Sequence, residues 1–268
     1  KTVIEAPANQ ATLTQRYTRR AVEFIEKNKA RPFFLYLPHT FPHLPLFASK
    51  DFHGKSANGR YGDSVEEIDW STGQILDCLD RLKLSKDTVV IFTSDNGSNG
   101  RNGGSNAPLS GNKGSTMEGG MRVPMIARWP GRIPADSTCK ELSSTMDFLP
   151  TFAAISEAKL SGAKIDGFDI SPLLLGKENA TSPYEVFYYY RRRQLQAIRW
   201  GDWKWHLPLE KTHPNWTTPK ATGRGRPAKL YNLAKDVREK NNVLKDKPDV
   251  MKKMRKLAKQ AVSNIGND

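Results

Sequence analysis

The acid–amide pair Asp95-Asn96 is the clearest candidate for chemistry in this chain. It follows the apolar run 88–94, which is rich in β-branched residues and predicts a buried strand. Carboxylate and amide oxygens are ligands that hard cations such as Ca²⁺ prefer, and ligands gather where strands of open α/β sheets end. Asp-Asn-Gly is also a common turn sequence, so the tripeptide alone favours a plain turn.

Two further apolar runs adjoin residues that can bind an anion. Residues 32–38 predict a second buried strand and run into a proline-stiffened loop that carries His39 and His43. Lys113 lies among glycines shortly before a third run, residues 125–130. Each residue has an ordinary alternative, a loop histidine or a solvated lysine. Together with a cation ligand, however, imidazole and ammonium groups are suited to a phosphate or sulfate ester.

Helical patterns separate these runs. Residues 14–29 predict an amphipathic helix. A second helix is predicted to begin at Asp63 or Ser64, with Glu66 or Glu67 completing a capping box. Helices that alternate with strands are typical of an α/β domain. Residues 97–115, rich in Gly, Asn and Ser, predict a loop long enough to be functional.

The pattern changes after about residue 165, so we predict domains at 1–164 and 165–268. Short antiparallel strands are predicted at 185–190, 196–200 and 203–207, with a hairpin turn at Gly201-Asp202. The polar segment 208–228 predicts a mobile loop, and 249–265 a closing helix.

Taken in order along the chain, these motifs resemble the type I, formylglycine-dependent sulfatases of the alkaline phosphatase superfamily. The matching segments are 32–45, 61–69, 90–97, 113–124, 129–131, 146–151, 166–174, 199–204 and 230–233. The resemblance implies part of an alkaline-phosphatase-like mixed sheet flanked by helices. A small C-terminal subdomain, an antiparallel sheet with a helix, would follow. It also implies hydrolysis of sulfate esters.

The resemblance also assigns roles to the candidate residues. Asp95 and Asn96 would be ligands of one divalent cation, usually Ca²⁺. Lys113 would bind a sulfate oxygen, and His43 would hydrogen-bond the sulfate or protonate the leaving group. His39 matches a histidine-bearing loop of the family and is expected to contact substrate. The substrate would be a sulfated small molecule or a sulfated polysaccharide.

The family's nucleophile motif, Cys-x-Pro-x-Arg, is missing from this sequence. Neither Cys78 nor Cys139 has a proline two positions on, and no serine version replaces it. We therefore expect this sequence to be the C-terminal portion of a longer sulfatase. The formylglycine, further cation ligands and a signal peptide would lie in the N-terminal portion. The 268-residue chain alone is expected to be inactive and to bind calcium weakly.

Composition bounds the remaining possibilities. No apolar run approaches a membrane span, the family is usually exported, and we expect a periplasmic or secreted protein. Asn179 and Asn215 each begin a glycosylation sequon, a triplet that is frequent by chance. Whether the cysteines pair, and the oligomeric state, stay open.

Charge is concentrated at the C-terminal end of the chain. Residues 176–268 hold 21 Lys and Arg against 9 Asp and Glu, a net +12 of the total +14. The densest runs are 191–193 and 224–226. Such a region can be a solubilising surface or can attract a polyanionic substrate. A phosphodiester or phosphonate hydrolase is the first alternative function. A basic polyanion-binding protein ranks behind it, and no nucleic-acid partner is expected because no recognised binding motif is present.

Overall fold

The structure is a computed structural model that describes residues 2–213 and 220–265. The chain divides into two compact units. The first comprises the described residues up to Ile91, with Arg101–Gly104 and Ala127–Ile133. The second comprises Phe92–Gly100, Ser105–Ile126 and the described residues from Pro134 onward. The domain boundary at 164/165 stays a prediction.

Two long helices form the core of the first unit. They are α1 (Leu13–Asn28) and α2 (Gly59–Arg81). Ile25 of α1 packs against Cys78 and Leu79 of α2, and all three are nearly inaccessible to solvent. The helix predicted at 14–29 is confirmed, because burying one apolar stripe is what holds such a helix in place.

The segment 32–38 differs from its prediction as a buried strand. It forms no strand in the structure. Phe33 and Leu35 pack on the core of the first unit, whereas Phe34 and Tyr36 are 69% and 76% exposed. An apolar run of this length fixes which residues can be buried, but strand pairing needs a neighbouring strand that the run cannot specify.

The capping box predicted for α2 is wrong. The helix begins at Gly59, four residues before Asp63. The buried Asp63 carboxylate instead accepts backbone N–H bonds from Gly54, Lys55 and Ser56, at 2.8, 3.1 and 2.8 Å. These three hydrogen bonds lower the pKa of Asp63, and the bond from Ser56 has the largest effect. Asp63 therefore stabilises the preceding loop rather than the helix terminus.

Two short strands correspond to the other apolar runs. They are β1 (Val90–Thr93) and β2 (Met125–Arg128), which form a two-stranded sheet. Both are only partly covered, since Phe92 is 38% and Ile126 66% exposed. The predicted loop 97–115 contains no helix or strand. The short helices α3 (Glu118–Met121), α4 (Phe148–Ile155) and α5 (Ser171–Leu174) follow in the second unit.

A four-stranded antiparallel sheet forms the C-terminal part of the second unit. Its strands are β3 (Val186–Arg191), β4 (Gln194–Trp200), β5 (Trp203–His206) and β8 (Lys229–Asn232), in the order β3-β4-β5-β8. The closing helix α6 (Pro248–Ile265) packs its Met254 and Leu257 against Leu195 and Leu230 of the sheet. The three predicted strands, the turn at Gly201 and the closing helix are confirmed; β8 was not predicted.

The predicted mobile loop 208–228 is partly wrong. Strands β6 (Leu209–Thr212) and β7 (Gly223–Arg226) form an antiparallel hairpin within it. These two strands were not predicted because their sequences are polar and their side chains are not deeply buried. The sequon at Asn215 lies outside the described residues, whereas Asn179 is exposed. Within residues 2–213 and 220–265, no helix is both long and apolar enough to cross a membrane.

Candidate active site

The residues after β1 form a tight backbone crossing rather than a plain turn. Gly97 N–H donates to Gly120 O over 3.1 Å. A Cβ atom built on Gly97 would lie 1.8 Å from Gly119 O, so only glycine fits this close approach. The Ser94 hydroxyl donates to Asn96 O over 3.1 Å. The chain that carries Asp95 and Asn96 is thus fixed against the glycines of α3.

Lys113 is attached to the same assembly. Its backbone N–H donates to Ser98 O over 2.9 Å, and Gly119 N–H donates to Ser110 O over 2.7 Å. The Lys113 residue is exposed, which leaves its ammonium group accessible to an anion. The structure therefore joins the backbone around the predicted cation ligands to the backbone of the predicted anion-binding lysine.

The Asn106 side chain connects Ser98 to the Gly111–Asn112 segment, and this residue was not identified from the sequence. Its Oδ1 accepts from Ser98 N–H over 2.7 Å. Its Nδ2 donates to Ser98 O (2.8 Å), Gly111 O (3.1 Å) and Asn112 Oδ1 (3.1 Å). An asparagine in a Gly- and Ser-rich loop gives no signal that separates such a central role from an ordinary turn residue.

A buried ion pair beneath α3 was also not identified. Glu118 Oε1 lies 2.8 Å from Lys204 Nζ, and both side chains are almost fully buried. Lys204 Nζ also lies 3.3 Å from Glu239 Oε1, which is 2.7 Å from His206 Nε2. A lysine between two tryptophans of a predicted strand is a weak signal for such a group, because its partners lie far away along the chain.

The predicted histidines belong to the first unit. His39 is half-buried, and its Nδ1 is buried without a hydrogen-bond partner in the described residues. This burial lowers the pKa of His39. His43 is exposed, with Nδ1 2.8 Å from Leu44 O. Because a carbonyl can only accept, Nδ1 of His43 carries the hydrogen there, which leaves Nε2 for exchange with a substrate.

Asp95 and Asn96 offer the right kind of donors for a hard cation but too few of them. Their side chains supply carboxylate and amide oxygens at a rigid strand end, which suits Ca²⁺. Calcium takes six to eight oxygen ligands. Across residues 2–213 and 220–265, no group of three or more His, Cys, Asp and Glu residues could hold a metal ion. Asp95 and Asn96 therefore suit a hard cation as two of its ligands.

The two cysteines are free. Cys78 is buried, and this burial raises the pKa of its thiol. A thiol with a raised pKa is a poor nucleophile. Cys139 is exposed. Neither cysteine lies in the Cys-x-Pro-x-Arg motif of the family nucleophile.

Solved structures with this fold include sulfatases and also a phosphonate monoester hydrolase from Silicibacter pomeroyi, which matches with a TM-score of 0.63 and 14% identity over 96% of this chain and 59% of that one. The chain matches PsFucS1 sulfatase from a Pseudoalteromonas species with a TM-score of 0.84 and 26% identity, over 100% of this chain and 57% of that one. It matches a Bacteroides thetaiotaomicron sulfatase, described with a genetic locus for glycosaminoglycan metabolism, with a TM-score of 0.83 and 31% identity. That match covers 96% of this chain and 56% of the other. The predicted alkaline-phosphatase-like α/β class is confirmed.

The sequence matches identify the family. The sulfatase model matches residues 3–157, and the model for the C-terminal region of aryl-sulfatase matches residues 182–267. A third model, N-sulphoglucosamine sulphohydrolase C-terminal, matches residues 112–207. The chain belongs to the sulfatase family, and the predicted resemblance is confirmed.

Curated relatives include enzymes with different substrates. Human steryl-sulfatase is 46% identical over 207 residues, which cover 74% of this chain and 35% of that protein. Dog N-acetylgalactosamine-6-sulfatase is 44% identical over 211 residues, which cover 76% of this chain and 40% of that protein. The chain thus spans about two fifths of the curated relatives that it matches.

Proposed function

We propose that this chain supplies the cation-binding and sulfate-binding part of a sulfuric ester hydrolase. The observation that carries the proposal is the backbone crossing of Gly97 with Gly119 and Gly120. With the Lys113–Ser98 hydrogen bond, it joins the Asp95-Asn96 turn to the lysine loop. Preorganised charges at a reacting group contribute most to catalysis when they need no rearrangement.

Each side chain has a role in this proposal. The Lys113 ammonium binds a sulfate oxygen and offsets the negative charge that the ester carries as its bond breaks. His43, as an imidazolium with hydrogens on both ring nitrogens, gives its Nε2 proton to the departing alcohol and keeps the Nδ1 hydrogen on Leu44 O. His39, which is half-buried, is the second histidine assigned to substrate binding in this proposal. These assignments rest on residue chemistry, exposure and family membership.

Asp95 and Asn96 would hold a divalent cation, for which Ca²⁺ suits their oxygen donors. When bound, the cation supplies positive charge to the sulfate oxygens. The attacking group, a formylglycine hydrate, is proposed to come from residues outside these 268. The chain's own task is to bind, orient and neutralise the sulfate group.

A sulfated polysaccharide is the substrate that the basic C-terminal region favours. The basic run 224–226 lies in β7, next to β4, and β4 directly follows the basic run 191–193. Arg226 Nη2 donates to Gln196 O and Gln194 Nε2 to Lys211 O, both over 2.9 Å. Burial, and then the neighbouring charge of Arg191, lower the pKa of Arg226. This juxtaposition of like charges favours an anionic ligand. A small aryl or steryl sulfate is the alternative, and KM values that rise with salt only for polysaccharide substrates would distinguish them.

An exported location, periplasmic or secreted, follows from the same proposal, because sulfated polysaccharides lie outside the cytoplasm. The exposed sequon at Asn179 is compatible with glycosylation of a secreted protein. Fractionation of the source cells, with detection of this protein outside the cytoplasm, tests the location.

The function is tested by steady-state hydrolysis of 4-nitrophenyl sulfate by the natural gene product that contains this sequence. Lys113→Met should lower kcat about 100- to 1,000-fold, the usual effect of removing one group that stabilises developing charge. Lys140→Met is the matched control, because Lys140 is an exposed lysine of the same unit and should leave turnover unchanged. Equal rates for both variants would refute the role of Lys113.

A further inference from the structure

The second unit buries a group of charges that the proposed chemistry does not use. Lys204 is fully buried in β5, with its Nζ 2.8 Å from Glu118 Oε1 and 3.3 Å from Glu239 Oε1. The same Nζ lies 4.2 Å from the centre of the Tyr189 ring. His206, two residues further along the same strand, has its Nε2 2.7 Å from Glu239 Oε1. Ion pairs removed from water are costly, so such a cluster is weak evidence for stabilisation.

The surroundings shift the pKa values of two members of the cluster. Burial lowers the pKa of His206, whose Nε2 lies 2.7 Å from Glu239 Oε1. Burial alone would raise the pKa of Glu239, but the bond from His206 and the charge of Lys204 outweigh it and lower that pKa. Lys204 Nζ lies between the Glu118 and Glu239 carboxylates and forms an ion pair with each.

The cluster is connected directly to the start of α3. Glu239 Oε2 accepts the backbone N–H of Glu118 over 2.7 Å, while the Glu118 carboxylate pairs with Lys204. Glu118 therefore contributes both its backbone and its side chain. Because Gly119 directly follows Glu118, its position is determined by these two contacts.

A second connection fixes the chain between Lys113 and α3. Thr116 Oγ1 donates to Gln196 Oε1 over 3.3 Å, and Gln196 Nε2 donates to Gln194 Oε1 over 2.8 Å. Thr116 and both glutamines are buried. The loop that carries Lys113 is thus held to the C-terminal sheet on both sides of Met117.

We propose that Glu118, Lys204 and Glu239 are positioning residues that hold the Lys113 loop and the Asp95-Asn96 turn in their working arrangement. They act through the backbone: Gly119 lies against Gly97, and Gly120 O accepts from Gly97 N–H. A shift of α3 must therefore move the residue that follows Asn96. This inference rests on the proposed function, and it assigns to the C-terminal sheet a part in arranging the sulfate-binding groups.

The test compares Lys204→Met with Met254→Ala, in the natural gene product. Met254 is fully buried in the core of the same unit and belongs to the α6 contact with the sheet, so its truncation destabilises without touching the cluster. Glu118→Gln is the milder second variant, because it keeps the shape and an acceptor oxygen. Kinetics are expressed per folded molecule.

For Lys204→Met we expect kcat/KM for 4-nitrophenyl sulfate to fall about 10- to 100-fold, the usual effect of removing a support behind a ligand. KM should rise and kcat should fall together, because Lys113 is displaced in both the bound and the reacting state. Glu118→Gln combined with Lys204→Met should recover part of the loss, since it removes one of the two unpaired carboxylates. Met254→Ala should leave KM unchanged.

Amide hydrogen exchange in the 268-residue chain provides a readout that needs no turnover. Lys204→Met should accelerate exchange at Gly97, Lys113 and Gly119 more than Met254→Ala does. Exchange and KM that change equally in both variants would overturn the positioning role. Accelerated exchange in a gene product that hydrolyses no sulfate ester would refute the proposed function alone.

Discussion

Gly97 directly follows the proposed cation ligands, and its substitution tests how closely the site is packed. In Gly97→Ala the new methyl group would lie 1.8 Å from Gly119 O and 2.9 Å from Gly119 C. Both atoms are backbone, so no flexible side chain can move aside. Restoring ordinary contact requires the two chains to separate by about 1.6 Å, because such contact begins near 3.4 Å.

This displacement should reduce both stability and activity. Overpacking of this kind costs about 1–3 kcal/mol of unfolding free energy. A shift of about 1 Å in a positioned group can cost about 100-fold in rate, so kcat/KM should fall by at least that factor. Urea unfolding of the 268-residue chain measures the first effect. Hydrolysis of 4-nitrophenyl sulfate by the natural gene product measures the second.

Gly162→Ala is the control for this prediction. Gly162 belongs to the same unit, and a Cβ there would meet no atom within 4 Å. Its substitution should change stability by less than about 0.5 kcal/mol and leave activity intact. If Gly97→Ala behaved like this control, the close approach of Gly97 and Gly119 would not exist, and the argument that joins the cation turn to the lysine loop would fail.

Three further predictions concern the site and its supports. Asn106→Ala should lower the unfolding free energy by about 1–3 kcal/mol, measured by urea denaturation, because Ser98 N–H loses its acceptor and the Ser98 and Gly111 carbonyls each lose a donor; an unchanged midpoint would contradict this. Stability should fall as the pH drops below about 6.5, since burial lowers the pKa of His206 and of His39, and the unfolded chain then binds more protons. Urea midpoints across pH 5–8 should therefore rise with pH, with a shallower slope in His206→Gln; equal slopes would contradict the assignment. Calcium should bind the 268-residue chain with Kd of about 1 mM or weaker by calorimetry, and Asp95→Asn should remove that binding; micromolar binding would show a complete site.

The local patterns predicted the helices and the C-terminal strands because each buries one apolar face. Ile25 in α1 and Met254 in α6 are covered as their helical spacing requires. The buried strand predicted around Phe34 is wrong. Whether an apolar segment pairs as a strand, and which of its side chains are exposed, depends on the segments packed against it rather than on its own composition. The hairpin that contains Arg224 was missed because its residues are polar and its pairing is backbone-based.

The supports of the candidate site could not be predicted from the sequence. The apolar run indicated that Asp95 follows a strand, and Asp95 lies two residues after β1; its role as a cation ligand stays a prediction. Nothing in the sequence connects Glu118 with Lys204, since 86 residues separate them. The same holds for Asp63, whose carboxylate suits a helix cap and instead binds the loop before it. Such contacts depend on tertiary packing, which overrides the local preference of each residue.

The central claim, that this chain carries the sulfate-binding groups of a sulfatase, is tested most directly by a paired hydrolysis assay. The natural gene product is given 4-nitrophenyl sulfate and 4-nitrophenyl phenylphosphonate under identical conditions with added calcium. The account predicts a higher kcat/KM for the sulfate, and loss of that activity in Lys113→Met. Turnover of the phosphonate alone, or of neither ester, would contradict it.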